Sequence, residues 1–116
     1  MEFPAALGRY LGSDEQPVVA SAGELVGPAV ARALDVGWGR VVGPEPTVLL
    51  VMTSRRILVI KRDVGGRLDA LLWADDDPLV IAQPEMGGLV LHGQAGSQVV
   101  FRPTDPADIG RVVDSV

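Results

Sequence analysis

Arg55, Arg56, Lys61, Arg62 and Arg67 make up half of the ten basic residues of this 116-residue chain. Guanidinium groups fork onto carboxylates and phosphates through paired hydrogen bonds. Arg55, Arg56, Arg62 and Arg67 are therefore candidate contacts for an anion or an acidic partner. Neighbours along a strand point to opposite faces, so Lys61 and Arg62 cannot share one. The two turns that carry the cluster sit at opposite ends of a single strand, and one continuous patch is not expected. The same residues also suit solubilising turns and a protected edge strand. Trp38, in a loop rich in glycine and proline, is the other candidate contact if exposed; burial against the sheet is the competing reading.

Other chemistry-bearing patterns fall short of a site. Asp75-Asp76-Asp77 lacks the alternating ligands, central glycine and closing glutamate of a calcium loop and reads as a solvated acidic turn. His92 is the only histidine, and the chain has no cysteine. No G-x-S-x-G surrounds a serine. Gly37, Gly39 and Gly43 follow a helical segment rather than a strand and miss the dinucleotide-loop spacing. No catalytic residue, metal ligand or cofactor is assigned, and an enzyme is not expected. A small enzyme or cofactor binder remains the least favoured alternative, resting on carboxylates brought together only by folding.

Fifteen acidic residues set a net charge of −5, which opposes general nucleic-acid binding. Thiolate metal sites and disulfides are excluded by the absence of cysteine. No apolar run reaches the roughly 18–20 residues of a membrane span, and residues 1–12 do not have the form of a signal peptide. A cytoplasmic location is expected.

The elements that must position these residues follow from periodicity. Phe3, Leu7, Tyr10 and Leu11 fall at helical spacing behind Pro4, predicting a short amphipathic turn over 1–15 that lids the core. Residues 17–22 read as a first strand. Gly27-Pro28 and Gly37 bracket a helix inside an insertion over 23–46. From Thr47 the pattern becomes β: 47–53 and 56–63 around a two-residue polar turn at Ser54-Arg55, then 68–74, 79–83, 88–93 and 98–103. Asp105 caps a final helix over 105–116, with Pro106 at its first position and Asp108 three residues after the cap. Its apolar stripe is Ile109, Val112, Val113 and Val116.

One strand, a helical insertion, six strands and a closing helix resemble the order of the bacterial pleckstrin-homology-like (PH-like) domains. The apolar strand ending in Thr53, the turn Ser54-Arg55, and Arg56 before Ile57-Leu58-Val59-Ile60 are similar to a hairpin of that family. The resemblance implies a mostly β fold: a seven-stranded bent, partly open barrel or sandwich plugged by the C-terminal helix. It further implies a non-catalytic binding or scaffolding module with a protein partner, able to self-associate. An anionic-lipid surface module using the Arg-rich turns is the alternative. The first connection offers only Arg32 and Arg40 among Glu24, Asp35 and Glu45, so no phosphoinositide site accompanies the resemblance.

Overall fold

The computed structural model describes residues 3–26, 47–63, 65–83 and 87–116. Trp38 and the helix expected near it lie outside these residues. The strands are β1 (Pro17–Val26), β2 (Thr47–Thr53), β3 (Ile57–Arg62), β4 (Leu68–Asp75), β5 (Leu79–Gln83), β6 (Gly88–His92) and β7 (Gln98–Pro103), followed by helix α1 (Ala107–Asp114). They form one antiparallel sheet in the order β4-β3-β2-β1-β7-β6-β5. No pairing joins β4 to β5 among the described residues, so the sheet is not closed.

β1 runs four residues beyond the expected 17–22, into the segment assigned to the insertion. It has two partners to serve: residues 17–24 pair with β2, and residues 23–26 pair with β7. Gly23 stands at the handover, opposite both Val48 and Pro103. A Cβ there would lie 2.2 Å from the Arg102 carbonyl oxygen and 2.8 Å from the Phe101 ring. Gly23→Ala is expected to cost about 1–3 kcal/mol through this overpacking, read as a lower denaturation midpoint; an unchanged midpoint would show that the strands can part there freely.

β2 and β3 are apolar at nearly every position because both of their faces are covered. On the inner face, Val48, Leu50, Met52, Ile57 and Val59 pack with Leu89, Leu91, Val99, Phe101 and Val112. On the outer face, Leu49, Val51, Leu58, Ile60 and Leu68 pack with Leu7, flanked by Phe3, Tyr10 and Leu11. The N-terminal segment thus lids the sheet from outside. Its helical part, Ala5–Tyr10, is a 3-10 helix with i→i+3 bonds from Leu7 N to Pro4 O and Leu11 N to Gly8 O. A few residues between proline and the sheet are too short a span to repay α-helix nucleation.

The mixed pattern of β4 has a physical cause. Val59 pairs with Trp73 and Ile60 with Leu71, leaving Leu72 unopposed; Lys61 pairs with Ala70 and Arg62 with Leu68, leaving Asp69 unopposed. Two bulges break the alternation, and Leu72 and Trp73 both reach the inner core.

The final helix corrects two expectations. Asp105 does accept the Ala107 amide hydrogen through Oδ1 at 3.0 Å. Asp108 does not serve as the reciprocal cap. It is buried, accepts the Ser21 hydroxyl at 2.7 Å and faces Arg111 at 2.6 Å, which ties α1 to β1. Only the Ile109 and Val112 side of the stripe enters the core; Val113 and Val116 are exposed. A helix ending at Asp114 and packed against β1 and β5 has room for one narrow contact face.

Candidate functional site: a basic cleft at the β3–β4 turn

The structure divides the candidate arginines into two groups with different duties. The first group is committed internally. The β2–β3 turn closes with Thr53 N donating to the Arg56 carbonyl at 2.9 Å. The Thr53 hydroxyl oxygen accepts the Arg55 and Arg56 amides at 3.1 and 3.0 Å, and the hydroxyl donates to Glu15. Arg56 forks onto Glu15 at 3.0 and 3.2 Å and also donates to the Tyr10 carbonyl at 2.8 Å. Gly12 N donates to Glu15 at 2.9 Å.

The Arg56 hydrogen bond is the largest influence on the Glu15 carboxyl. With help from Thr53 and Gly12 it outweighs burial and lowers the pKa from 4.5 to about 2. The same bond raises the Arg56 pKa. Arg55 pairs with Asp14 in an exposed contact, worth roughly 0–1 kcal/mol. The open cleft of about 420 Å³ between Gly12, Glu15, Arg55, Arg56 and Asp76 is therefore already charge-compensated. These residues form a latch between the N-terminal segment and the β2–β3 turn.

The second group gathers at the turn after β3. Asp63 N donates to the Arg67 carbonyl at 2.8 Å, and Gly66 N to the Asp63 carbonyl at 2.9 Å. Gly66 takes φ +81°, which glycine tolerates best. Asp63 Oδ1 accepts the Arg67 amide at 2.9 Å. Arg62 folds over this turn and donates from Nε to the Gly66 carbonyl at 3.3 Å. From the N-terminal segment, Arg9 reaches the Leu68 carbonyl through a long 3.5 Å contact, its guanidinium 6.0 Å from the Tyr10 ring centroid.

Residues 4–6, Arg9, Asp63, Gly66, Arg67 and Leu68 wall an open cleft of about 470 Å³. Among the described residues no carboxylate pairs with the guanidinium of Arg9, Arg62 or Arg67. Lys61 instead pairs with Asp69 at 3.6 Å. Among the described residues, Asp63 is the one acid lining the cleft, and one of its oxygens is engaged by the turn.

Arg62 and Arg67 were legible as candidates from sequence, but Arg9 was not. It stands alone among the apolar residues of a segment far away in the chain. Its one signal is its place off the Phe3, Leu7, Tyr10 and Leu11 spacing.

The remaining candidates have structural work. Asp75 is buried rather than solvated: its carboxylate accepts the Asp77 amide at 2.9 Å and the Gln94 amide at 2.7 Å, fastening β4 to the β6–β7 turn. Trp73 packs on the inner core and donates Nε1 to Ser97 at 3.3 Å. His92 is half-buried within β6. Among the described residues no group of three or more acidic or histidine side chains is placed to hold a metal ion. Among the described residues, no buried side-chain nitrogen or oxygen lacks a partner. No described helix is long and apolar enough to cross a membrane. Comparison with protein-family models, curated proteins and solved structures gave no match.

Proposed function

We propose that the chain is a non-catalytic binding module of PH-like type that takes an acidic segment of a protein partner in the Arg9–Arg67 cleft. The observation that carries this reading is the convergence of Arg9, Arg62 and Arg67 on one turn, with Asp63 as the accompanying acid. A chain of net charge −5 keeps this corner basic. Guanidiniums without a carboxylate partner can fork onto one brought by a ligand. Pro4, Ala5 and Ala6 add an apolar wall beside them, suited to the stems and backbone of a peptide. The PH-like part of the reading rests on the strand order and on the hairpin from Thr53 to Arg56.

An anionic membrane surface is the weaker partner. The apolar side chains that would enter a bilayer, Leu7 with Phe3 and Leu11, are packed on the sheet, and net acidity opposes approach to anionic lipid.

Amide NMR titration with a hexaglutamate peptide tests the proposal. The expected result is a salt-sensitive perturbation centred on Arg9, Gly65, Gly66 and Arg67, reduced about tenfold in affinity by the double substitution Arg9→Ala/Arg67→Ala. Perturbation spread evenly over the surface, or unchanged in the double variant, would overturn it. Stronger binding to phosphatidylserine vesicles than to the peptide would transfer the site to a lipid partner.

A further inference from the structure

The walls of the cleft belong to distant parts of the chain. Residues 4–6 and Arg9 supply one, from the N-terminal segment; Asp63, Gly66, Arg67 and Leu68 supply the other, from the β3–β4 turn. The cleft therefore exists only while the segment lies on the sheet. Among the described residues, the backbone–backbone hydrogen bonds of residues 4–15 stay within the segment: Leu7 N to Pro4 O, Leu11 N to Gly8 O and Glu15 N to Gly12 O. Its hydrogen bonds to the rest of the protein all use side chains, from Arg9 to the Leu68 carbonyl and from Thr53, Arg55 and Arg56 to the segment. Leu7 is its apolar anchor on the outer face.

Immediately after the segment the chain is fixed. Ser54 N donates to the Gln16 carbonyl at 2.9 Å, and Gln16 N donates to the Ser54 hydroxyl oxygen at 3.2 Å. Residues 3–15 thus form a strap hinged at Gln16, which can lift without breaking a backbone pair of the sheet. Segments held in this way open below the free energy of global unfolding. The latch grips the strap at the Glu15 carboxylate and at the Tyr10 carbonyl. Tyr10 directly follows Arg9, the strap's charged contribution to the cleft. Arg56 itself lines no part of that cleft.

We infer that Arg56, at the opposite end of β3 from the cleft, is a positioning residue for it: the latch holds the strap down from one end, and an acidic segment bound between Arg9 and Arg67 holds it down from the other. This rests on the reading of the cleft given above. A ligand that contacts both walls loses one of them when the strap lifts, and that difference in affinity is the source of the coupling. Linkage makes the effect reciprocal: a looser latch weakens the ligand, and bound ligand resists strap opening. Charge alone predicts the opposite sign for one variant. Glu15→Gln removes a negative charge, which by itself favours an anionic ligand. Through the strap it disfavours the ligand, because a neutral amide holds the Arg56 guanidinium less strongly than a carboxylate does.

Amide hydrogen exchange with and without hexaglutamate peptide, joined to peptide titrations of three variants, tests the coupling. At about ten times its Kd the peptide should slow exchange at Leu7, Leu11, Gly12 and Glu15 by about tenfold, while Gly93 and Ser97 in the β6–β7 turn stay unchanged. Without peptide, Arg56→Ala should speed the four strap amides together. Arg56→Ala should weaken the peptide about three- to tenfold, and Glu15→Gln by a smaller factor in the same direction. Arg102→Ala removes the same charge as Arg56→Ala from the exposed pair with Glu24 and should change affinity less than about twofold. If Arg56→Ala is too unstable to titrate, Glu15→Gln and the wild-type exchange decide the matter. Peptide bound without protection of the strap amides, or bound as tightly or more tightly by Glu15→Gln, overturns the coupling and leaves the cleft in place. No peptide binding to the wild type overturns the cleft, and the coupling with it.

Discussion

Replacing Arg56 by alanine is expected to remove about 3–5 kcal/mol of stability at neutral pH, the cost of stranding a buried carboxylate. Glu15 is buried, and the two Arg56 contacts are its charged partners. Total stabilities of roughly 5–15 kcal/mol leave little after such a loss. Guanidinium unfolding at pH 7 measures it as a fall in midpoint with the slope retained.

The pH dependence gives the latch a second signature. Glu15 has a folded pKa of about 2 against 4.5 ordinarily. A depressed carboxyl contributes stability that is complete above its unfolded value and lost as pH falls through its folded value. The wild type should therefore lose on the order of 3 kcal/mol between about pH 4.5 and pH 2 from this group. In Arg56→Ala, protonation relieves an unpaired charge, so the gap between variant and wild type should narrow over the same window. Glu15→Gln, which keeps an acceptor for Gly12 and Thr53, should lose less at pH 7 and flatten the acid dependence. A loss under about 1 kcal/mol for Arg56→Ala, with a gap indifferent to pH, would show that the latch is a surface pair of no consequence.

Leu7→Ala is expected to cost about 2–5 kcal/mol, although Leu7 belongs to a six-residue 3-10 turn. Leu7 is 2% exposed, and Leu49, Val51, Leu58 and Ile60 close the cavity around it. Truncation empties the centre of the outer layer and frees the segment, so the variant should also bind an apolar dye that the wild type excludes. Leu7→Asp should be worse, since it buries a charge among aliphatic groups. Leu7 and Arg56 hold the same segment, one by packing and one through Glu15 and the Tyr10 carbonyl. Loss of either should weaken the other, and the double variant should lose less than the sum of the singles. Strict additivity would mean that the two contacts act on independent parts of the fold.

The strands from Thr47 to Pro103 were legible because β-branched runs and turn residues alternate at short intervals there, and the hairpin at Ser54-Arg55 closes where expected. The length of β1 was not, because Gly23 breaks the apolar run at the point where the strand changes partner. Local pattern assigns Asp75 to a solvated turn and Asp108 to a cap because it cannot register the Gln94 amide or the Ser21 hydroxyl, both distant in the chain. Of the site, Arg62 and Arg67 announce themselves by proximity in sequence, while Arg9 enters only because the N-terminal segment lies over β3 and β4.

The split among the basic residues shows where local information stops. Composition and spacing established that the chain is mostly β, lacks thiol chemistry and concentrates its arginines around two turns, since those properties depend on residue type and near neighbours. Which arginines are engaged within the protein and which face the cleft was decided only when residues 3–15 folded back across β2 and β3. That return set Glu15 against Arg56 and Arg9 beside Arg67, and it buried the outer faces of strands whose sequence alone could not say what covered them. Hydrophobic burial is non-directional and reaches across the whole chain, so the charged partners it brings together are a property of the tertiary structure.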